Sequence, residues 1–215
     1  MARSLSAATI IRQAREIADQ QTAAASVARV TDTECLGQLN TLLGIWHGML
    51  VKAVPERFEE EQTITADGAT SYDLPADHFL TLGVDALWGT QRMPLERIQY
   101  QERTRYEATG SDAEGYYLKA ATVVLVPAPS SGTYYHQYVT AAPTFTATSD
   151  TVDCVNGWES WLVYGLAIHM LGKEESDATL WVAKQLEVKA EIDAAAADRE
   201  AARPMRVVDT RLARY

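Results

Sequence analysis

Residues 153–173 read DCVNGWESWLVYGLAIHMLGK. Trp158, Trp161, Leu162, Gly165, Leu166, Ile168, His169 and Leu171 recur at the three- and four-residue steps of a helix in an almost wholly apolar segment. The stretch predicts a helix buried on most sides and ending near Gly172. What precedes it gives the prediction its weight. From about residue 61 the apolar period is two, so helical periodicity here resumes after a β-rich stretch.

Downstream, Leu180, Trp181, Lys184, Leu186, Val188 and Ile192 mark a second helix starting at Asp177 and running into Ala194–Ala197. Arg203-Pro204 then opens an extended tail, because the residue before proline disfavours helical backbone. Upstream, strands are expected at 80–88, 92–95, 115–119, 121–126 and 133–140, with a short helix within 98–106. Gln62–Thr65 and Thr70–Leu74 flank Ala66-Asp67-Gly68-Ala69, a hairpin signal because Asp-Gly tolerates positive φ. The first 55 residues return to helical steps: Leu5, Ile10, Ile11, Ala14, Ile17, then Leu36, Leu39, Leu42, Leu43, Trp46, Met49 and Leu50. Thr31 with Glu34 fits a capping box at the start of the second of these helices, with Val30 and Cys35 as a hydrophobic staple. Val54-Pro55 ends it.

The expected fold class is therefore α+β. A four-helix bundle, residues 1–58 and 152–200, is interrupted by a β-rich insertion of antiparallel sheet or barrel-like form, residues 59–151, and followed by an extended arm, 201–215. The length of 215 residues suits one large domain or two small ones at roughly 150 residues each. A formal charge of −10 disfavours a nucleic-acid coat held by counterion release. The charge is uneven. Residues 61–150 carry five basic against eleven acidic side chains, whereas residues 203–215 carry four arginines against Asp209 alone. Arg12, Arg15, Glu16 and Asp19 interrupt the apolar residues of the first helix, so no export signal or membrane span is expected there.

Signatures of chemistry fail one by one. No G-x-S-x-G surrounds a serine, and Ser160 belongs to the apolar helix. Gly110 and Gly115 have the gap of a phosphate loop, but Tyr116 and Tyr117 stand where Lys and Ser or Thr are needed. His47, His78, His136 and His169 fall in four different elements, and Cys35 and Cys154 lie far apart, so no metal or cofactor is expected. His136 alternates onto a strand face that solvent could reach. Glu174 and Glu175 read as acidic residues near a helix start, and Glu59–Glu61 as a solvated run. Trp158, Trp161 and Trp181 read as core, and the tyrosines of 134–138 lack the interleaved basic residues of a nucleic-acid platform. The arm differs: Arg203, Arg206, Arg211 and Arg214 alternate with Met205, Val207, Val208 and Leu212, the pattern of a segment that docks on a partner.

In their order along the chain, several short motifs resemble the head–tail adaptor proteins of tailed bacteriophages, also called connector or head-completion proteins. They are Ile10–Ala14, Val30-Thr31-Asp32 leading into a Leu-rich helix with Asn40, the segment Thr63–Asp77, Leu125–Pro129 and Tyr135–Tyr138. They continue with Asp150–Asp153, Gly157-Trp158-Glu159, Leu162-Val163-Tyr164, Ala167-Ile168, Lys173–Asp177 and Arg203–Val207. The resemblance spans nearly the whole chain. It implies a structural virion protein at the neck, made in the bacterial host cytoplasm, with no catalytic residues, no cofactor and no membrane. Its implied partners are the portal protein, further copies of itself in a ring of twelve, and downstream tail, nozzle or tail-terminator proteins. DNA would pass through the ring without sequence-specific binding. The helices would pack subunit to subunit, the arm would reach the portal, and the β-rich part would face the tail. Two alternatives stand beside it: another neck or tail component such as a tail terminator, and a small soluble enzyme with a site around His169, Glu174 and Glu175.

Overall fold

A computed structural model describes residues 4–18, 30–106 and 112–201. In chain order the elements are β1 (Ser4–Ser6), α1 (Ala7–Ile17), α2 (Asp32–Ala53), β2 (Glu59–Thr65), β3 (Ser71–Asp73), β4 (His78–Trp88) and β5 (Gln91–Pro94). Then come β6 (Glu96–Arg97), α3 (Arg103–Tyr106), β7 (Gly115–Lys119), β8 (Thr122–Val126), β9 (Thr133–Thr140), β10 (Thr151–Asp153), α4 (Ser160–Lys173) and α5 (Thr179–Ala201). They fall into two compact units: the residues before Pro55 together with those after Ala142, and Pro55–Ala142.

The mixed α+β class holds, but the helices do not make a four-helix bundle. α4 is the hub: it packs against α1, α2 and α5, while α1 and α2 touch only slightly. The cause lies in the residues. Along α4, Leu162, Leu166, Ala167 and Met170 are fully buried, and Trp161, Val163 and Leu171 nearly so, leaving a short helix apolar on most sides that takes the centre. Burial of each large side chain contributes about 2 kcal/mol. α5, longer by nine residues, packs on both α4 and α2, and among its described side chains Ile192 alone is buried. α1 is just 11 residues long, because Leu5, assigned to a helix by its spacing, belongs instead to β1, which pairs antiparallel with β10. Ser6 then caps α1, its hydroxyl accepting the Thr9 N–H at 3.2 Å.

A segment after Pro143 completes this unit. Asn40, on α2, donates from Nδ2 to the Phe145 carbonyl at 3.0 Å and accepts the Phe145 N–H on Oδ1 at 2.8 Å. One side chain thus stands in for a strand partner and leaves Phe145 buried. Asp150 accepts from the backbone of Thr146 and Ala147 and from the Thr146 hydroxyl, which holds its carboxyl below the usual carboxylate range. The helix α2 starts as expected with the Thr31 hydroxyl accepting the Glu34 N–H at 3.3 Å. The Glu34 carboxylate, however, receives the Lys173 ammonium of α4.

The unit Pro55–Ala142 holds two four-stranded sheets, ordered β2-β9-β4-β5 and β3-β8-β7-β6. All pairs are antiparallel except β6 with β7. Ile64, Val84, Ala86 and Tyr134 of the first sheet pack with Tyr116, Val123 and Leu125 of the second in one core cluster. The expected hairpin between β2 and β3 is absent. Gly68 does turn the chain with φ of 89°, but β2 pairs with β9 and β3 with β8. The Asp-Gly turn therefore carries the chain from one sheet to the other, and Asp67 steadies it by accepting the Ala69 N–H. β4 is irregular in its first half, with register shifts between His78 and Leu80 and between Thr81 and Gly83.

Candidate functional site

The residues weighed as chemical groups are dispersed among structural tasks. Ser160 opens α4 and donates its hydroxyl to the Gly157 carbonyl at 3.1 Å. His47 is buried on α2. His169 places Nε2 3.8 Å from the Glu34 carboxylate, which, with Lys173, ties the start of α2 to the end of α4. Glu174 follows the last turn of α4, its N–H bonded to the Leu171 carbonyl at 3.0 Å, and Glu175 reverses the chain at φ of 56°. Trp158 and Trp161 are core residues, and the Trp181 ring lies 5.6 Å from that of Tyr164. Cys35 and Cys154 are buried and form no disulfide, and burial pushes the Cys35 thiol pKa up. Among the described residues no three His, Cys, Asp or Glu side chains are placed to hold a metal ion.

One hollow of about 570 Å³ opens on the second sheet, lined by Tyr117, Lys119, Thr122, Val124, Val126 and Pro127 among others. It holds no carboxylate and no imidazole. Gly115, counted above as a possible phosphate-loop glycine, has a steric reason instead. A Cβ there would lie 2.5 Å from Ile98 Cδ1 and 2.9 Å from the Glu96 carbonyl oxygen, so only glycine lets β7 lie beside β6.

The strand Tyr134–Tyr138 departs most from its sequence reading. Tyr134, His136 and Tyr138 point into the unit, and His136, assigned above to a face open to solvent, is fully buried. Tyr135 lies on the opposite face with the Arg92 guanidinium 3.8 Å above its ring, and Arg92 in turn pairs with Glu61 across the sheet. A basic residue absent from the local sequence thus arrives from β5. Glu59, Glu60 and Glu61 are solvent-exposed, as a charged run should be, and they form the first half of edge strand β2.

Two histidines meet. His136 Nδ1 lies 3.2 Å from Gln62 Oε1, its Nε2 lies 2.9 Å from Thr81 Oγ1, and Thr81 Oγ1 lies 2.9 Å from His78 Nε2. The rings of His78, His136 and Tyr138 stack at 5.4–5.8 Å, and the Tyr138 hydroxyl donates to Asp77 at 3.2 Å. Burial, with His78 nearby, lowers the His136 pKa to about 4. Nothing in the spacing of His78, Thr81 and His136 signalled this cluster, because strand pairing alone brings them together.

The arm residues Arg203, Met205, Arg206, Val207, Val208, Arg211, Leu212 and Arg214 lie outside the described residues. The family model for the SU10 adaptor protein matches residues 5–211. The chain belongs to the SU10 adaptor protein family. The match runs through both units and the arm as far as Arg211. No curated protein matches the chain. As a member of this phage head–tail adaptor family, the protein is a structural component of the virion. Among the described residues no helix is long and apolar enough to cross a membrane.

Proposed function

We propose that this adaptor assembles as a ring of twelve copies beneath the portal of a tailed phage, prolongs the DNA channel and offers the tail its docking platform. The family match over residues 5–211 carries this reading. A ring follows from head-to-tail contacts that close on themselves, which requires two different surfaces on each subunit. The protein works without catalysis, cofactor or sequence-specific DNA contact.

The charge distribution supports a division of labour. Residues 61–150 hold five basic and eleven acidic side chains, and an acidic wall lets DNA slide without strong phosphate contacts. In this reading the β-rich insertion, residues 59–151, faces the tail. The arm, with Arg203, Arg206, Arg211 and Arg214 set between Met205, Val207, Val208 and Leu212, docks on the portal.

Negative-stain images of the purified protein mixed with its portal test the assignment. Twelve-fold density under the portal is expected. Six-fold rings, or binding to a tail tube in place of the portal, would mark a tail terminator instead. Deleting residues 203–215 is expected to weaken portal attachment while leaving both units folded, and unchanged attachment would refute the role of the arm.

A further inference from the structure

The hydrogen bonds around His136 have one consistent direction. Gln62 Nε2 donates to the Asp73 carbonyl at 3.1 Å, which turns Gln62 Oε1 toward His136 as an acceptor. His136 must then carry its proton on Nδ1 and present a bare Nε2 to the Thr81 hydroxyl. Thr81 donates to His136, so Thr81 Oγ1 accepts from His78 Nε2. The sequence Asp73–Gln62–His136–Thr81–His78 runs through β3, β2, β9 and β4. Only the Gln62–Asp73 bond crosses to the second sheet; the bonds from Gln62 through His136 and Thr81 to His78 cross-link β2, β9 and β4 of the first.

We propose that the His136–Thr81–His78 part of this chain of hydrogen bonds is an acid-released latch: a proton taken up at His136 Nε2 breaks it and loosens β4 from β9 within the first sheet. The neutral imidazole uses Nε2 as an acceptor, and protonation turns that atom into a donor facing the Thr81 oxygen, which already receives His78. The Thr81 hydroxyl proton loses its acceptor. The new cation sits fully buried, where an uncompensated charge is costly.

The groups facing it offer little relief. From β4 come His78 and Thr81, and from β2 the neutral Gln62 amide. Tyr138 stacks on it from its own strand, with the Asp77 carboxylate engaged beyond the Tyr138 hydroxyl and Glu60 acting on that same hydroxyl. His78 adds repulsion once it too is charged. Its own pKa is lowered by burial, with Asp77 pulling the other way.

The sign follows from where the proton binds better. An unfolded histidine takes its proton near 6.5 and the buried one near 4. The open state therefore binds more protons between those values. The latch holds above pH 6.5 and weakens as pH falls toward 4, with the open-to-closed ratio rising roughly 20-fold between pH 7 and pH 5. The half of β4 that carries the two register shifts is the segment best placed to give way.

Nuclear magnetic resonance on the full chain tests this. The His136 ring is expected to hold its proton on Nδ1 at pH 7 and to titrate near pH 4. Amide protection in β2, β4 and β9, corrected for the intrinsic exchange rate, should fall roughly 20-fold from pH 7 to pH 5. Protection in α4 should change far less. His136→Gln keeps a donor and an acceptor but takes no charge, so it should abolish that loss. A His136 that titrates near 6.5 with protection unchanged overturns the proposal, as does the same loss in His136→Gln. Should that variant fail to fold, the wild-type titration still decides.

Discussion

Gly165 sits where α4 meets both α2 and α5, and replacing it with alanine sets two effects of opposite sign against each other. A Cβ there would lie 2.9 and 3.0 Å from the two terminal methyls of Leu42 and 2.7 Å from Gln185 Nε2. Alanine in a helix interior gains about 1 kcal/mol over glycine through the backbone. Overpacking a filled site costs about 1–3 kcal/mol. Leu42 is buried and has little freedom to retreat, and Gln185 Nε2 donates to the Trp161 carbonyl at 3.3 Å, a bond that moving the side chain would break. Packing should win, for a net loss of about 1 kcal/mol, or roughly 4 °C in melting temperature. Gly44 supplies the control. It lies on the exposed side of α2 with nothing within 4 Å of a Cβ, so Gly44→Ala should gain up to about 1 kcal/mol. Urea denaturation followed by tryptophan fluorescence suits the comparison, since Trp46, Trp158, Trp161 and Trp181 all lie in this unit. A Gly165→Ala protein as stable as the Gly44→Ala protein would refute the close-packing argument. Leu42→Ala should cost less when added to Gly165→Ala than it does alone, because removing the Leu42 methyls relieves the clash with the new Cβ.

Gly115→Ala should cost more than Gly165→Ala, because one of the atoms it meets is the Glu96 backbone carbonyl, and loss of amide protection in β7 would register it. Asn40→Ala strips both hydrogen bonds from the buried Phe145 backbone and should destabilise the helical unit by about 2–3 kcal/mol in the same denaturation assay. Asp150 is held below its ordinary pKa by its bonds to Ala147 and Thr146, so its contribution is present above the unfolded-state value and is lost as pH falls through the folded one. Asp150→Asn should therefore flatten the acid limb of a stability-versus-pH curve below roughly pH 4.

Local chemistry in the sequence foretold local structure well. Proline at 55 ended α2, the Asp-Gly turn bent where it should, and the alternation of residues 133–140 became β9 with the same limits. The errors arose where long-range pairing outweighed local preference. Leu5 fits a helical step, yet Ser4–Ser6 found a partner in Thr151–Asp153, nearly 150 residues away, and backbone pairing won. β2 and β3 had the turn of a hairpin but went to different sheets because the side chains of both face one shared core. The bundle was overread for a related reason: periodicity reports that a helix has an apolar face, not how many neighbours share it. The basic arm and the order of short motifs pointed to an adaptor family, which residues 5–211 match. Asn40 stood out only as a member of that motif series, since no helical pattern shows a side chain that bonds to residue 145.

The insertion enters along β2 and leaves along β9, and Glu59 pairs with Val139 while the Thr140 N–H reaches the Phe58 carbonyl at 3.0 Å. The excursion from Pro55 to Ala142 is thus pinched shut at its own base. This bears on the order of folding. If the β-rich unit closes first, the chain between α2 and α4 behaves as a short tether, and the loop entropy that opposes their docking falls by roughly 1 kcal/mol. The helices would then assemble fastest around an insertion already complete, so a slowly folding β-rich unit would delay the helical unit whose sequence it interrupts.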